Sequence, residues 1–146
     1  MKKEASDVLM EEKMELVSDS VRLPLFRKKL QDFLMRSHMT SQAVDDTTLA
    51  VNEALTNVIR HSYREKPGKI EISFRDFVDR VEVQIRDYGE KFDPKNIPPP
   101  VLPPKKPGGL GLLMIQKLVD KAWYNTECSK GNALLLTKYK KDKKEN

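Results

Sequence analysis

The chain has 146 residues, 38% of them hydrophobic and 34% charged, which suits one folded domain with a well-solvated surface. That composition excludes a collagen, a coiled-coil rod and a wholly disordered chain, and a single cysteine, Cys128, excludes an intrachain disulfide or a cysteine-rich metal site. The net charge is +5, but five lysines against Asp142 and Glu145 place +3 of it in the last nine residues, Lys138 to Asn146, expected as a frayed tail, so the body gives little support for direct nucleic-acid binding.

Residues 1–12 are charged and lack a clear period, so a mobile leader is expected there. No apolar run reaches signal-peptide or membrane-spanning length, and with the lone cysteine this points to a reducing, cytoplasmic setting away from membranes. Met14 to Val17 reads as a short edge strand. From Ser20 to about Arg36, Leu23, Phe26, Leu30, Phe33 and Leu34 recur at helical spacing, and Pro24 fits the first turn of that helix. A second helix is expected from about Ser41 to Ser62, with Val44, Thr48, Val51, Leu55 and Val58 forming its core stripe.

Lys66-Pro67-Gly68 ends that helix, and the period changes to two. Ile70, Ile72 and Phe74 alternate with polar residues, as do Val81, Val83 and Ile85, so two antiparallel strands are expected. Asp87 to Pro94 is rich in turn residues. Six prolines between Pro98 and Pro107 then exclude a regular helix or central strand. Gly108-Gly109-Leu110-Gly111 leads into a third helix, about Leu112 to Lys121. Strands at about 122–127 and 133–139 close the chain around Ser129–Asn132, with a lysine-rich tail at 141–146. The order βααββαββ predicts an α+β two-layer sandwich: a mixed, mostly antiparallel sheet covered on one face by about three helices.

Three places carry polar chemistry. Glu53, Asn57 and His61 lie at i, i+4 and i+8 of the second helix, within roughly 80° of one another. Their face, lined by Ala50 and Ala54, is expected to leave room for a ligand. Asn beside Glu suits a hard cation such as Mg²⁺, with phosphates supplying other ligands; a zinc site is unsupported with two unpaired histidines. Asp87-Tyr88-Gly89 follows a strand, and an ionised carboxylate there can only accept hydrogen bonds, which suits an amino group such as that of adenine. The glycine cluster before the third helix would let backbone N–H groups approach a phosphate, yet it is neither a Walker A loop nor a Rossmann fingerprint.

Taken in order, Leu49-Ala50-Val51-Asn52-Glu53-Ala54-Leu55-Thr56-Asn57 through His61-Ser62-Tyr63, then Asp87-Tyr88-Gly89 with Phe92-Asp93-Pro94, and Gly108-Gly109-Leu110-Gly111-Leu112 with Ile115 resemble the Bergerat-fold nucleotide-binding superfamily, and the late Gly131-Asn132 turn before the last strand also fits. The short, helix-dense form is similar to the bacterial anti-sigma factor serine/threonine kinases of the partner-switching systems, over roughly residues 14–140. The resemblance implies ATP and Mg²⁺ as cofactors. Asn57 would hold the Mg²⁺ that bridges the phosphates, and Glu53 would be the general base toward an acceptor hydroxyl. Asp87 would bind adenine, Gly89 would permit close approach, and His61 would lie on the phosphate side or be structural. Gly108, Gly109 and Gly111, at the edge of a lid over residues 95–108, would contact phosphates together with Lys106. Two departures stand out. Glu90 and Lys91 follow Gly89 where the superfamily often places a second glycine, and Lys105-Lys106-Pro107 stands where many members carry an arginine.

The resemblance further implies a sigma factor and an anti-anti-sigma protein of the STAS class as partners, the latter phosphorylated on Ser/Thr, and a homodimer. Two rival readings are a nucleotide-binding regulator without kinase activity and a basic nucleic-acid-binding domain resting on the lysine-rich end. Retention of Glu53 disfavours the first, because a pure binder needs Asn57 but no base.

Overall fold

The computed structural model describes residues 7–18, 22–93, 111–125 and 127–140. Its elements are β1 (Met10–Val17), α1 (Leu23–Arg36), α2 (Ser41–Asn57) continuing as a π-helical turn (Val58–Ser62), β2 (Lys69–Asp76), β3 (Arg80–Asp87), α3 (Gly111–Leu118), β4 (Lys121–Asn125) and β5 (Asn132–Tyr139). The expected α+β order holds. The sheet runs β1-β2-β3-β5-β4, and every pairing in it is antiparallel rather than mixed.

Alternation along β2 and β3 turns Ile70, Ile72, Phe74, Val81, Val83 and Ile85 toward the helices, and all six are buried. The inward stripe of α1 meets them: the Phe74 ring lies 5.8 Å from Phe26 and 5.4 Å from Phe33. These tilted aromatic contacts join the first helix to the centre of the sheet. Pro24 sits in the first turn of α1, as its missing N–H allows. In α2, Thr40 caps the start by accepting from the Ala43 N–H at 3.1 Å, and the Val44–Thr48–Val51–Leu55–Val58 stripe is buried as expected.

Three expectations need correction. The expected leader is too long, because β1 begins at Met10 and pairs with β2 along its whole length. Met10 and Met14 pack on the core, while Glu12 forms an ion pair with Arg36 of α1. The charges that broke the period belong to the outer face and to this pair. The Ala50–Ala54 face of α2 is not open. Both alanines are buried in the core, and α2 packs against α3. Nor is the basic end all loose: Lys138 Nζ donates to the Leu118 carbonyl at 2.7 Å and lies 3.6 Å from Asp46, and Lys140 pairs with Asp76 at 2.8 Å. Lys138 thereby ties the C-terminal end of α3 to α2 and β5. The lid at 95–108 and the tail at 141–146 lie outside the described residues, as does the Ser20 start expected for α1.

Candidate functional site

The last turn of α2 and the ends of β3 and β5 converge. Asp87 ends β3, and the antiparallel register sets it directly opposite Asn132, the first residue of β5. Asp87 is buried, 1% exposed. Its Oδ1 accepts from the Ser62 hydroxyl, from the Gly89 N–H at 3.1 Å and from Asn132 Nδ2 at 3.1 Å. Its Oδ2 is buried with no partner.

Two more buried polar atoms without a hydrogen-bond partner lie on α2: Glu53 Oε2 and Asn57 Nδ2. A buried orphan of this kind costs about 1–3 kcal/mol, and more when charged, so three such residues on neighbouring elements are what a site waiting for a polar ligand looks like. The remaining orphan among the described residues, Asp76 Oδ1, lies 2.8 Å from Lys140 Nζ and so has its charge compensated. Burial pushes the Glu53 carboxyl above its ordinary range, with Arg60 partly opposing the shift. Glu53 also lines a cleft of about 220 Å³ between α1 and α2, with Leu23 and Arg27 on one side and Asn52, Thr56 and Ile59 on the other.

The helix is not regular to its end. The Tyr63 N–H bonds to the Val58 carbonyl at 2.9 Å, five residues back, so the final turn is π-helical. The wider turn changes the direction of every side chain along it from that of a regular helix. Ser62 therefore reaches Asp87, and His61 turns to the Phe92 ring at 5.8 Å. Burial, and then Arg60 and Arg64, hold the His61 pKa below its usual value, so the ring is neutral at pH 7. Phe92 in turn meets Tyr124 of β4 edge-on at 6.0 Å. Burial pushes the Tyr124 phenol up to about 12; the Asn57 amide beside it opposes this and the Asp87 carboxylate adds to it.

Of the nine residues singled out by motif, Asp87 and Gly89 meet at Ser62, Asn57 and Asp87 both act on Tyr124, Glu53 lies one turn before Asn57 on α2, and His61 stands at the border. Gly111 opens α3. Lys106, Gly108 and Gly109 lie outside the described residues. The close approach that Gly89 permits is to protein: a Cβ there would strike the Ser62 hydroxyl and carbonyl. Gly131 is equally constrained, with φ +72° and the space of its Cβ taken by the Asp87 carbonyl.

A family model for the histidine kinase-like ATPase domain matches residues 16–138, almost the whole of the fold just described. The chain belongs to this family. Among the relatives of this ATPase-family chain is a serine-protein kinase RsbW from Staphylococcus aureus (strain bovine RF122 / ET3-1), 31% identical over 136 residues, covering 86% of this chain and 84% of the relative. A serine-protein kinase RsbW from Oceanobacillus iheyensis is 32% identical over 122 residues, covering 77% and 76%. Among solved structures, that of the RsbU and RsbW domains of Rv1364c from Mycobacterium tuberculosis matches with a TM-score of 0.60 at 16% identity. That match covers 90% of this chain and 33% of the longer one, and it speaks for the fold alone. The superfamily expected from the three motifs is the one found, and the serine-protein kinases are the branch of it to which this ATPase-family chain is similar.

The motifs include Ser62, Phe92 and Asn132 without giving them a part in the site, and they leave out Tyr124. Asn132 had a signal in its position after Gly131 at a strand start, but its pairing with Asp87 depends on a register between strands that are not consecutive.

Proposed function

We propose that the protein is an ATP- and Mg²⁺-dependent serine/threonine kinase that regulates a sigma factor by partner switching. It binds the sigma factor in one state, and in the other it binds and phosphorylates an anti-anti-sigma protein of the STAS class. The observation that carries this reading is the trio of unpartnered polar groups on Glu53, Asn57 and Asp87, each suited to a different part of the reaction.

Adenine would meet Asp87 Oδ2 through its exocyclic amine, since an ionised carboxylate can only accept. Among the described residues no group of three His, Cys, Asp or Glu side chains could hold a metal alone. Asn57 would share Mg²⁺ with the ATP phosphates, and the ion would neutralise charge as the phosphoryl group moves. Glu53 would take the proton from the acceptor hydroxyl. A carboxylate raised toward neutrality by burial is a better base at pH 7 than an exposed one. The cleft beside it offers an approach for a protein side chain from the α1 side. Gly108, Gly109, Gly111 and Lys106 would close on the phosphates, with the lid turning nucleotide state into partner choice. His61, its pKa lowered by burial and its ring tilted against Phe92, would support the site wall. No helix among the described residues is long and apolar enough to cross a membrane; the cytoplasm is part of the reading proposed here. We further propose a homodimer, as in kinases of this type.

The test is phosphate transfer from labelled ATP, with Mg²⁺, to the serine of a candidate STAS-class partner. Transfer that disappears on chelation and in Glu53→Gln protein supports the kinase. Nucleotide-dependent partner binding without any transfer by the wild type would favour a regulator that acts by contact alone.

A further inference from the structure

The Tyr124 side chain stands beside both groups proposed for the two ends of the nucleotide. In the antiparallel register Tyr124 of β4 pairs with Leu134 of β5, and Leu134 pairs with Ile85 of β3. Leu134 and Ile85 are buried, so Tyr124 shares their face of the sheet, beneath the helices. The Asp87–Asn132 pair is the next pair on that face, two residues farther toward the end of β3. The ring itself is partly buried against the core. Phe92 meets it edge-on at 6.0 Å, and the Phe92 N–H is tied to Asn132 Oδ1 at 3.2 Å. Asn57 of α2 lies beside the hydroxyl, and the Asp87 carboxylate is close enough to act on it.

An apolar side chain would suffice to fill this place between Phe92 and the sheet. The hydroxyl adds something that packing does not need. Burial pushes the phenol up to about 12, so at pH 7 it keeps its proton and can both donate and accept a hydrogen bond. Asn57 Nδ2 beside it is buried without a partner. The end of the site that faces the phosphates and the end that faces the base are therefore linked by a neutral, polar step.

A nucleotide has one order along its length: base, ribose, phosphates. With the base at Asp87 and the phosphates at Asn57, the ribose falls between them, on the side of the site that Tyr124 lines. We propose that Tyr124 is a specificity-determining residue whose hydroxyl bonds a ribose hydroxyl and so distinguishes a ribonucleotide from a deoxyribonucleotide. The phenolic oxygen can accept from the sugar hydroxyl or donate to it, whereas the carboxylate of Asp87 is committed to the base. A site built to bond a hydroxyl rejects the analogue that lacks it, because its own polar group is then left unpaired. The proposal rests on the reading of Asp87 and Asn57 as the base and phosphate contacts.

Titration calorimetry with Mg²⁺ gives the affinities of ATP, 2′-deoxy-ATP and 3′-deoxy-ATP for the full chain, for Tyr124→Phe and for Asp87→Asn, with circular dichroism to check each fold. The wild type should bind ATP about three- to tenfold more tightly than one of the deoxy analogues, the scale of one neutral hydrogen bond. Which analogue suffers names the hydroxyl. Tyr124→Phe keeps the ring and its packing, so ATP should weaken by that factor while the sensitive analogue does not, and the preference should vanish. Should the phenylalanine variant not fold, Tyr124→Leu decides in its place. Equal binding of all three nucleotides by the wild type overturns the proposal, as does a preference that survives loss of the hydroxyl, including an equal weakening of all three. Asp87→Asn should weaken ATP and both analogues by one common factor. If it weakens none, the base reading fails and the placement of the ribose with it; if it weakens all while the preference persists without the Tyr124 hydroxyl, the ribose contact alone fails.

Discussion

Glu53→Gln separates a chemical role for this residue from a structural one, because the amide keeps the shape but cannot take a proton. Glu53 is 6% exposed and its Oε2 has no hydrogen-bond partner. Leaving a buried polar group unsatisfied costs about 1–3 kcal/mol, and a charged one more, so neutralising it should stabilise the ligand-free protein by about 1 kcal/mol near pH 8. For a chain of this size that is roughly 2–4 °C in melting temperature. The sign with pH follows from the raised pKa. The contribution of Glu53 to stability is fully present below its ordinary value of 4.5 and is lost as pH rises through the folded value. Wild type and variant should therefore melt alike near pH 4 and diverge toward pH 8, with the variant the more stable, as scanning calorimetry would show. ATP affinity should stay within a few-fold while phosphate transfer falls by about 10²–10⁴, the range for losing a general base. The reasoning fails if Glu53→Gln melts lower than wild type at pH 8 and loses ATP as badly as Asn57→Ala does. Glu53 would then be holding the helix end rather than taking a proton.

Asp87→Asn should cost about 1.5–3 kcal/mol of ATP binding, or roughly ten- to a hundredfold in Kd by titration calorimetry, with the fold kept. Gly131→Ala forces a side chain into φ +72° and onto the Asp87 carbonyl, so urea unfolding should show a loss of at least about 1–3 kcal/mol and ATP affinity should fall with it. Ultraviolet titration should find one phenol that resists ionisation until about pH 12 and that disappears in Tyr124→Phe. The stability that Tyr124 contributes should be present below its ordinary value of 10.0 and lost between there and about 12, and bound ATP-Mg²⁺ should change that step because Asn57 lies beside the ring.

Much of this was legible in the residue pattern. Periods of two and of three to four fixed β2, β3 and the buried stripes of α1 and α2, because each of those elements presents one face to a single core. Asp87 was placed by the end of a clear strand, and Glu53 and Asn57 by spacing within the regular part of α2. What escaped notice depends on long-range geometry. Ala50 and Ala54 look alike as ligand room and as a close helix seam, and only the position of α3 decides between them. The Asp87–Asn132 pair requires β3 and β5 to be neighbours, although α3 and β4 lie between them in the chain. Met10 to Glu12 read as leader because an edge strand that faces charge on one side carries no strong alternation.

The π turn explains why the site was half seen. A regular helix advances about 100° per residue, which would stack His61 above Asn57 and leave Ser62 turned away. In the wider turn from Val58 to Ser62 the side-chain directions depart from that register, and the Ser62 hydroxyl meets Asp87. The Ser62 carbonyl stays free of the helix ladder and accepts from the Glu90 N–H at 2.8 Å, which binds the segment after β3 to the helix end. Gly89 is required at that crossing because no Cβ fits beside Ser62. The two motifs that the chain keeps far apart, Glu53–His61 and Asp87–Gly89, are thus joined through one serine. A π turn gives up regular hydrogen bonding and is found mostly where function requires it. Here its effect is to couple the residues proposed for phosphate transfer to the carboxylate proposed for the base. A substitution that restores a regular turn should therefore loosen base recognition before it unfolds the domain.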